Sequence, residues 1–223
     1  MIKVENVDVW GFEHAIRGMR NPMNSWDKSD SKFNIQTYWD EEQTLEAEYH
    51  PILLGESDLD LMRRLYKAGT EHRTYARMIQ VSMDITAPLY WWKEMDRYTV
   101  GKSQVSCSTM HKIHSKVFEP IDFSHDYLYE TDKWGVLDIV IAGLNVARDQ
   151  YLETKDKKYW YQMIQLLPSS YNQKRTICMS YETVFKIIKE RANHKLNEWV
   201  DFVDILKMLP YVYEITEDIE NED

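Results

Sequence analysis

The 223-residue chain is long enough to bury a sizeable core, and its eight Trp and fifteen Tyr against seven Gly and six Pro mark an ordered, helix-rich globule. A formal net charge of −10 argues against non-specific binding to nucleic acid or to an anionic membrane, since both need a basic face. No apolar run approaches the roughly twenty residues that span a bilayer, and two cysteines, Cys107 and Cys178, read as thiols of a cytoplasmic protein rather than a disulfide frame.

In chain order, Ile2, Val4, Val7 and Val9 alternate as a strand and lack the charged-then-apolar layout of a signal peptide. Gly11 to Met19 predicts a short helix, followed by the turn-rich Arg20–Asp30 segment. Residues 28–56 show weak periodicity and read as loop with strand fragments. A helix then starts at Ser57 as N-cap, with Asp60 in the capping-box position, carries Leu61, Met62, Leu65 and Tyr66, and stops at Gly69. Ile79, Val81, Met83 and Ile85 alternate with Gln80, Ser82 and Asp84 as a half-buried strand. Pro88 opens a short aromatic helix, and a polar loop follows.

Residues 111–130 read as irregular, and Thr131 or Asp132 as the cap of a long helix through Leu152 whose Leu137, Val140, Ile141, Leu144 and Ala147 share one face. Tyr159–Leu167 predicts a helix stopped by Pro168, and Asn172–Arg191 and His194–Met208 two more. The expected fold is α+β, a helix-rich single domain over residues 1–215 with a central antiparallel or mixed sheet and an acidic, solvated tail at 216–223.

The loop after the aromatic helix concentrates the chemistry: Arg97, Lys102, Ser103, Cys107 and Ser108 lie within a dozen residues. A strand that hands over to a helix and then to a hydroxyl-rich loop lines many ligand pockets. In a net acidic chain, a local set of Arg and Lys there suits a small phosphorylated ligand. Each residue also has a plainer reading. Arg97 pairs with Glu94 or Asp96, Cys107 is a buried small residue, and Tyr90, Trp91 and Trp92 are core or subunit interface. His111, His114 and His125 have zinc-like spacing without the Cys or acidic ligands that usually accompany it, and no metal is assigned.

The order of strand, Ala87-Pro88, aromatic helix, Arg-containing loop, Leu167-Pro168-Ser-Ser-Tyr171 and a late Arg-containing helix resembles the flavin-dependent thymidylate synthases. Counted from Ala87-Pro88, the family's Arg-His-Arg triplet falls on Arg97-Tyr98-Thr99, its preceding Arg-Gln pair on Lys93-Glu94 and its serine on Cys107, flanked by Ser106 and Ser108. Its late helix falls on Glu190-Arg191 through Asn197 to Asp201, and Lys67-Ala68-Gly69 matches its turn before the strand. The sequence departs from the family at Tyr98, Thr99, Val105, Thr109 and Asp201, and at Arg73–Arg77 where the family has a flavin-contacting segment.

The resemblance implies a homotetramer that binds FAD between subunits and methylates dUMP to dTMP with methylenetetrahydrofolate, reduced flavin and NADPH. It implies Arg97 and Cys107 as catalytic candidates. Glu94, Ser106, Cys107, Ser108, Lys174 and Arg175 would contact a dUMP-like substrate, and Arg97, Tyr98, Thr99, Arg191 and Asn197 the flavin. Two other functions remain open on the same scaffold: altered pyrimidine-nucleotide chemistry, or a non-catalytic nucleotide-binding or assembly role.

Overall fold

A computed structural model describes residues 2–41, 44–128 and 135–216. Its strands are β1 (Lys3–Trp10), β2 (Lys32–Glu41), β3 (Thr44–Leu53), β4 (Gln80–Pro88), β5 (Lys102–Ser106) and β6 (Asn172–Ser180). Its helices are α1 (Phe12–Arg20), α2 (Glu56–Lys67), α3 (Leu89–Met95), α4 (Val136–Thr154), α5 (Lys157–Leu166), α6 (Tyr181–Arg191), α7 (Asn197–Lys207) and α8 (Val212–Thr216). A four-stranded sheet has the order β1-β4-β6-β5, and β2 and β3 form a separate antiparallel pair. The fold is α+β, as expected. Among the described residues no helix is long and apolar enough to cross a membrane.

The chain resolves into two compact units. One comprises the chain up to Val7, Ser82–Ile177 and Lys195–Asp201; the other comprises Asp8–Val81, Cys178–His194 and the chain from Phe202 on.

In the first unit β4 behaves as its alternation requires, with Met83, Ile85 and Ala87 buried and Ser82, Asp84 and Thr86 half-exposed. Pro88 is the N-cap of α3 rather than its first helical residue, and it has no side-chain acceptor for the helix's free N–H groups. Carbonyls of the 169–171 loop serve instead: Leu89 donates to Tyr171 at 3.0 Å and Tyr90 to Ser169 at 3.0 Å. α3 buries Trp91, Trp92 and Met95, with the Trp91 ring 4.7 Å from Trp199. A further cluster joins Ile113, Phe118, Phe123 and Met163 to Leu137, Ile141, Leu144 and Ala147 of α4. The caps predicted for this helix, Thr131 and Asp132, lie outside the described residues; the part described starts after Gly135 in a left-handed conformation.

In the second unit the backbone turns from β1 into α1 at Gly11 (φ +97°), where a Cβ would stand 2.2 Å from the Met78 carbonyl oxygen. A glycine is required there. Residues 28–56, read as loop with strand fragments, hold two full ten-residue strands paired from Lys32↔Leu53 to Glu41↔Thr44. The alternation of Phe33, Ile35, Thr37 and Trp39 is present in the sequence but diluted by the carboxylates that follow.

α2 is capped differently from the capping-box reading. Gly55 is the N-cap, and the Asp30 carboxylate accepts from the N–H groups of Ser57 and Asp58 at 2.9 and 3.1 Å. Asp60 instead pairs with Arg64, one turn on. Gly69 does end this segment, at φ +98°. Two further corrections concern strands. Residues 102–106 of the supposed loop form β5, and Asn172–Ser180, read as the first half of a helix, is β6; the helix begins only after Ser180, whose hydroxyl caps it.

Candidate functional site

Strand direction decides which residues meet. Asn6 and Asp84 lie opposite each other in the first unit, as do Asp84 and Thr176, while Gln80 meets Cys178 in the second. β4 and β6 therefore run antiparallel. Successive side chains on β6 alternate between faces, so Lys174 and Arg175 part company. Lys174 turns to Asp84 (3.1 Å) and Glu5 (3.8 Å). Arg175 turns the other way, to Asp96 at 2.7 Å and onto the face of Trp92 at 4.3 Å.

On the Lys174 side the first unit holds a cavity of about 400 Å³. Its wall is built from the loop after β5 (Cys107, Ser108, Thr109), the start of β6 (Tyr171, Gln173, Lys174) and Thr86 at the end of β4. Lys3, Lys116 and Asp122 also line it. The loop is fixed to β6 by two bonds: Cys107 N–H donates to the Lys174 carbonyl at 2.9 Å, and Gln173 Nε2 donates to the Cys107 carbonyl at 2.6 Å. Ser108 Oγ accepts from the N–H groups of Met110 and His111 at 3.2 and 2.8 Å, which closes the next turn and leaves its own proton free to donate.

Each cation of the cavity has an acid. Lys3 meets Glu5 at 2.7 Å, Lys174 meets Asp84, and Lys116 meets the buried carboxylate of Asp122. Hydrogen bonds from Thr176, Asn6 and Lys174 hold the Asp84 carboxyl down at about 2, and the same contact raises the Lys174 ammonium. Burial pushes the Tyr171 phenol up. Three ammonium groups and the Ser108 and Thr109 side chains are thus set around the cavity, each ammonium beside a carboxylate.

Of the residues predicted to touch substrate, this cavity brings together Cys107, Ser108 and Lys174. Ser106 ends β5 on the exposed side and is not among its lining residues. Glu94 faces Arg97 at 3.4 Å, and Arg175 is held at Asp96. Cys107 is exposed, not a buried small residue. The positions matched to the flavin divide between the two units. Arg97 is 72% exposed beside Glu94, Tyr98 is buried with its ring 6.0 Å from Trp199, and Thr99 is exposed. Arg191 ends α6 in the second unit. Asn197 begins α7 and donates to the Tyr127 hydroxyl at 3.0 Å in a separate cavity of about 940 Å³, where Tyr90 donates to the Glu198 carboxylate.

Within the first unit the triplet positions thus retain one cation, Arg97, which is paired with Glu94, and the second position is packed against Trp199. Among the described residues no group of three His, Cys, Asp or Glu could hold a metal; His125 Nδ1 lies 2.8 Å from the Phe123 carbonyl oxygen.

Lys3 and Lys116 escape a sequence reading because they come from segments distant from the loop, whereas Cys107, Ser108, Tyr171 and Lys174 carried a signal in the motifs of the resemblance.

Compared with solved structures, the chain is similar to thymidylate synthase X (ThyX) from Helicobacter pylori along nearly its whole length. One crystal structure, with FAD and dUMP, superposes with a TM-score of 0.67 at 16% identity, covering 97% of this chain and 98% of that one. A second, described as the flavin-dependent enzyme complexed with FAD and dUMP, gives 0.65 at 17% identity over 96% and 99%. At such identities the likeness establishes a ThyX-like fold. No protein-family model matches the sequence, and no curated relative does.

Proposed function

We propose that the protein binds a phosphorylated pyrimidine nucleotide of the dUMP type in the cavity walled by Cys107–Thr109 and β6. The observation that carries this reading is the convergence of Lys3, Lys116 and Lys174 with the Ser108 and Thr109 hydroxyls around one cavity, in the loop where the family resemblance puts a substrate-contacting serine. Each ammonium has three donors and spends one or two on its carboxylate, so N–H groups remain for a phosphate. Gln173 holds the Cys107 carbonyl and thereby sets the loop's position.

The test is thermal stabilisation of the purified protein by dUMP against deoxyuridine, which lacks the phosphate. A saturating ligand at about 100 times its Kd stabilises by about 2.7 kcal/mol. Stabilisation by dUMP but not deoxyuridine, weakened about tenfold in Lys174→Met, is expected; equal responses to the two ligands would refute a phosphate site.

A second reading, flavin-dependent thymidylate synthesis, is favoured by the ThyX-like fold over nearly the whole chain. It takes FAD, NADPH and methylenetetrahydrofolate, and a homotetramer in which other subunits complete the flavin site. Against it stand Tyr98 and Thr99 in place of the triplet's His and Arg. Flavin absorption of the purified protein, with conversion of dUMP to dTMP, decides between the two readings; a colourless protein that binds dUMP leaves the first.

A further inference from the structure

The second unit contains a cavity of about 530 Å³ that the nucleotide reading does not use. This volume lies within the usual range for small-molecule sites. Four aromatic side chains line it, Trp10, Phe12, Phe33 and Tyr211, together with two carboxylate residues, Glu13 and Glu214. The Phe12 and Tyr211 rings stand 5.8 Å apart at 75° to each other, two walls meeting nearly at a right angle. Trp10 is 45% exposed, so its ring is open to a ligand arriving from solvent. Aromatic faces carry negative charge density that attracts cations, and surrounding rings are how proteins hold alkylated ammonium groups.

The walls are built to stay in place. Tyr211 sits in the left-handed region (φ +60°), a conformation that costs a non-glycine residue energy and concentrates at ligand clamps. Its hydroxyl accepts from the Leu54 N–H at 3.1 Å and donates to the Ile52 carbonyl at 3.3 Å, which locks the ring. Gly11, which also lines the cavity, can have no side chain without striking Met78. Among the described residues no Lys or Arg side chain forms a salt bridge with Glu13 or with Glu214; the single cation recorded at Glu214, Arg63, bonds its backbone oxygen at 2.7 Å.

We infer that this cavity is a binding site for a small organic cation, an alkylated ammonium compound whose charged head enters the aromatic walls and is balanced by Glu13 and Glu214. The rings supply the fit and the carboxylates the charge.

Choline is the probe, with 3,3-dimethylbutan-1-ol, its uncharged isostere, as control, and binding to the full chain is measured by isothermal titration calorimetry. Choline is expected to bind at least about tenfold more tightly than the alcohol. Trp10→Ala and the double variant Glu13→Gln, Glu214→Gln should each weaken choline by about tenfold while leaving dUMP stabilisation unchanged. All three substitutions fall on exposed or partly exposed side chains, so the variants should fold; an unaltered circular dichroism spectrum checks this. Equal affinity for choline and the alcohol, or choline binding untouched by both variants, overturns the assignment, as does the absence of any choline heat at millimolar ligand.

Discussion

At the scale of single residues, Asp58 is the most heavily committed side chain among the described residues. It is fully buried and pairs with Arg20, itself 3% exposed, at 2.6 Å. It also accepts from both hydroxyl and N–H of Ser31, from the Ser29 hydroxyl and from the N–H of Asp30. Burial opposes its charge, but the bonds from Ser31, Arg20 and Ser29 prevail and lower its carboxyl below the ordinary value. The carboxylate thus ties the 29–31 turn and the end of α1 to the first turn of α2. Sequence reasoning placed the structural weight on the neighbouring Ser57 and Asp60, because the capping pattern is local and the Arg20 partner lies 38 positions away. Removing the charge would leave Arg20 buried and unpaired, a change that typically costs about 3–5 kcal/mol. Asp58→Asn should lower the urea midpoint accordingly without changing the slope of the transition. A loss below about 1 kcal/mol would mean that water reaches Arg20 and replaces the bond.

At the scale of elements, β4 was legible and β6 was not, and the reason lies in their polar residues. In β4 the apolar positions alternate without interruption. In β6 the polar run Asn172-Gln-Lys-Arg-Thr conceals the alternation, since its polar side chains are satisfied by partners remote in sequence. Thr176 and Lys174 bond Asp84 on the neighbouring strand, and Gln173 reaches the Cys107 carbonyl and accepts from Arg175 at 2.9 Å. A pattern read along the chain cannot see partners across a sheet. The Asp84 pairing carries a pH signature with a definite sign. Its carboxyl lies at about 2 in the folded chain against an ordinary 3.8. Its contribution is therefore complete above 3.8 and is lost as the pH falls toward 2. The melting temperature of Asp84→Asn should lie below that of the wild type at neutral pH, and the two curves should converge on acidification through that window. Curves that stay parallel would show that Asp84 gains nothing from Thr176, Asn6 and Lys174.

At the scale of the whole molecule, the candidate nucleotide site was legible in its loop and illegible in its depth. Cys107, Ser108 and Lys174 could be named from the sequence, but the alternation of β6 sends Arg175 to Trp92, and the end of α3 leaves Arg97 to Glu94. The cations expected to gather thus part, and lysines from β1 and from the segment before Pro120 take their place. Because those lysines are matched by Glu5, Asp84 and Asp122, the cavity itself is close to neutral, and the field a nucleotide meets on approach is that of a chain with ten excess negative charges. A monophosphate carries a charge of about −1.5 to −2 near neutral pH, so the long-range interaction is repulsive. Salt at about 0.1 M reduces the screening length to about 10 Å and removes most of that repulsion. The association rate of dUMP should therefore rise by on the order of two- to fivefold between low and physiological salt, the opposite of a binder steered by a basic face. Stopped-flow measurement across that range checks the sign. A rate that falls with salt would mean that Lys3, Lys116 and Lys174 overcome the net charge and draw the nucleotide in.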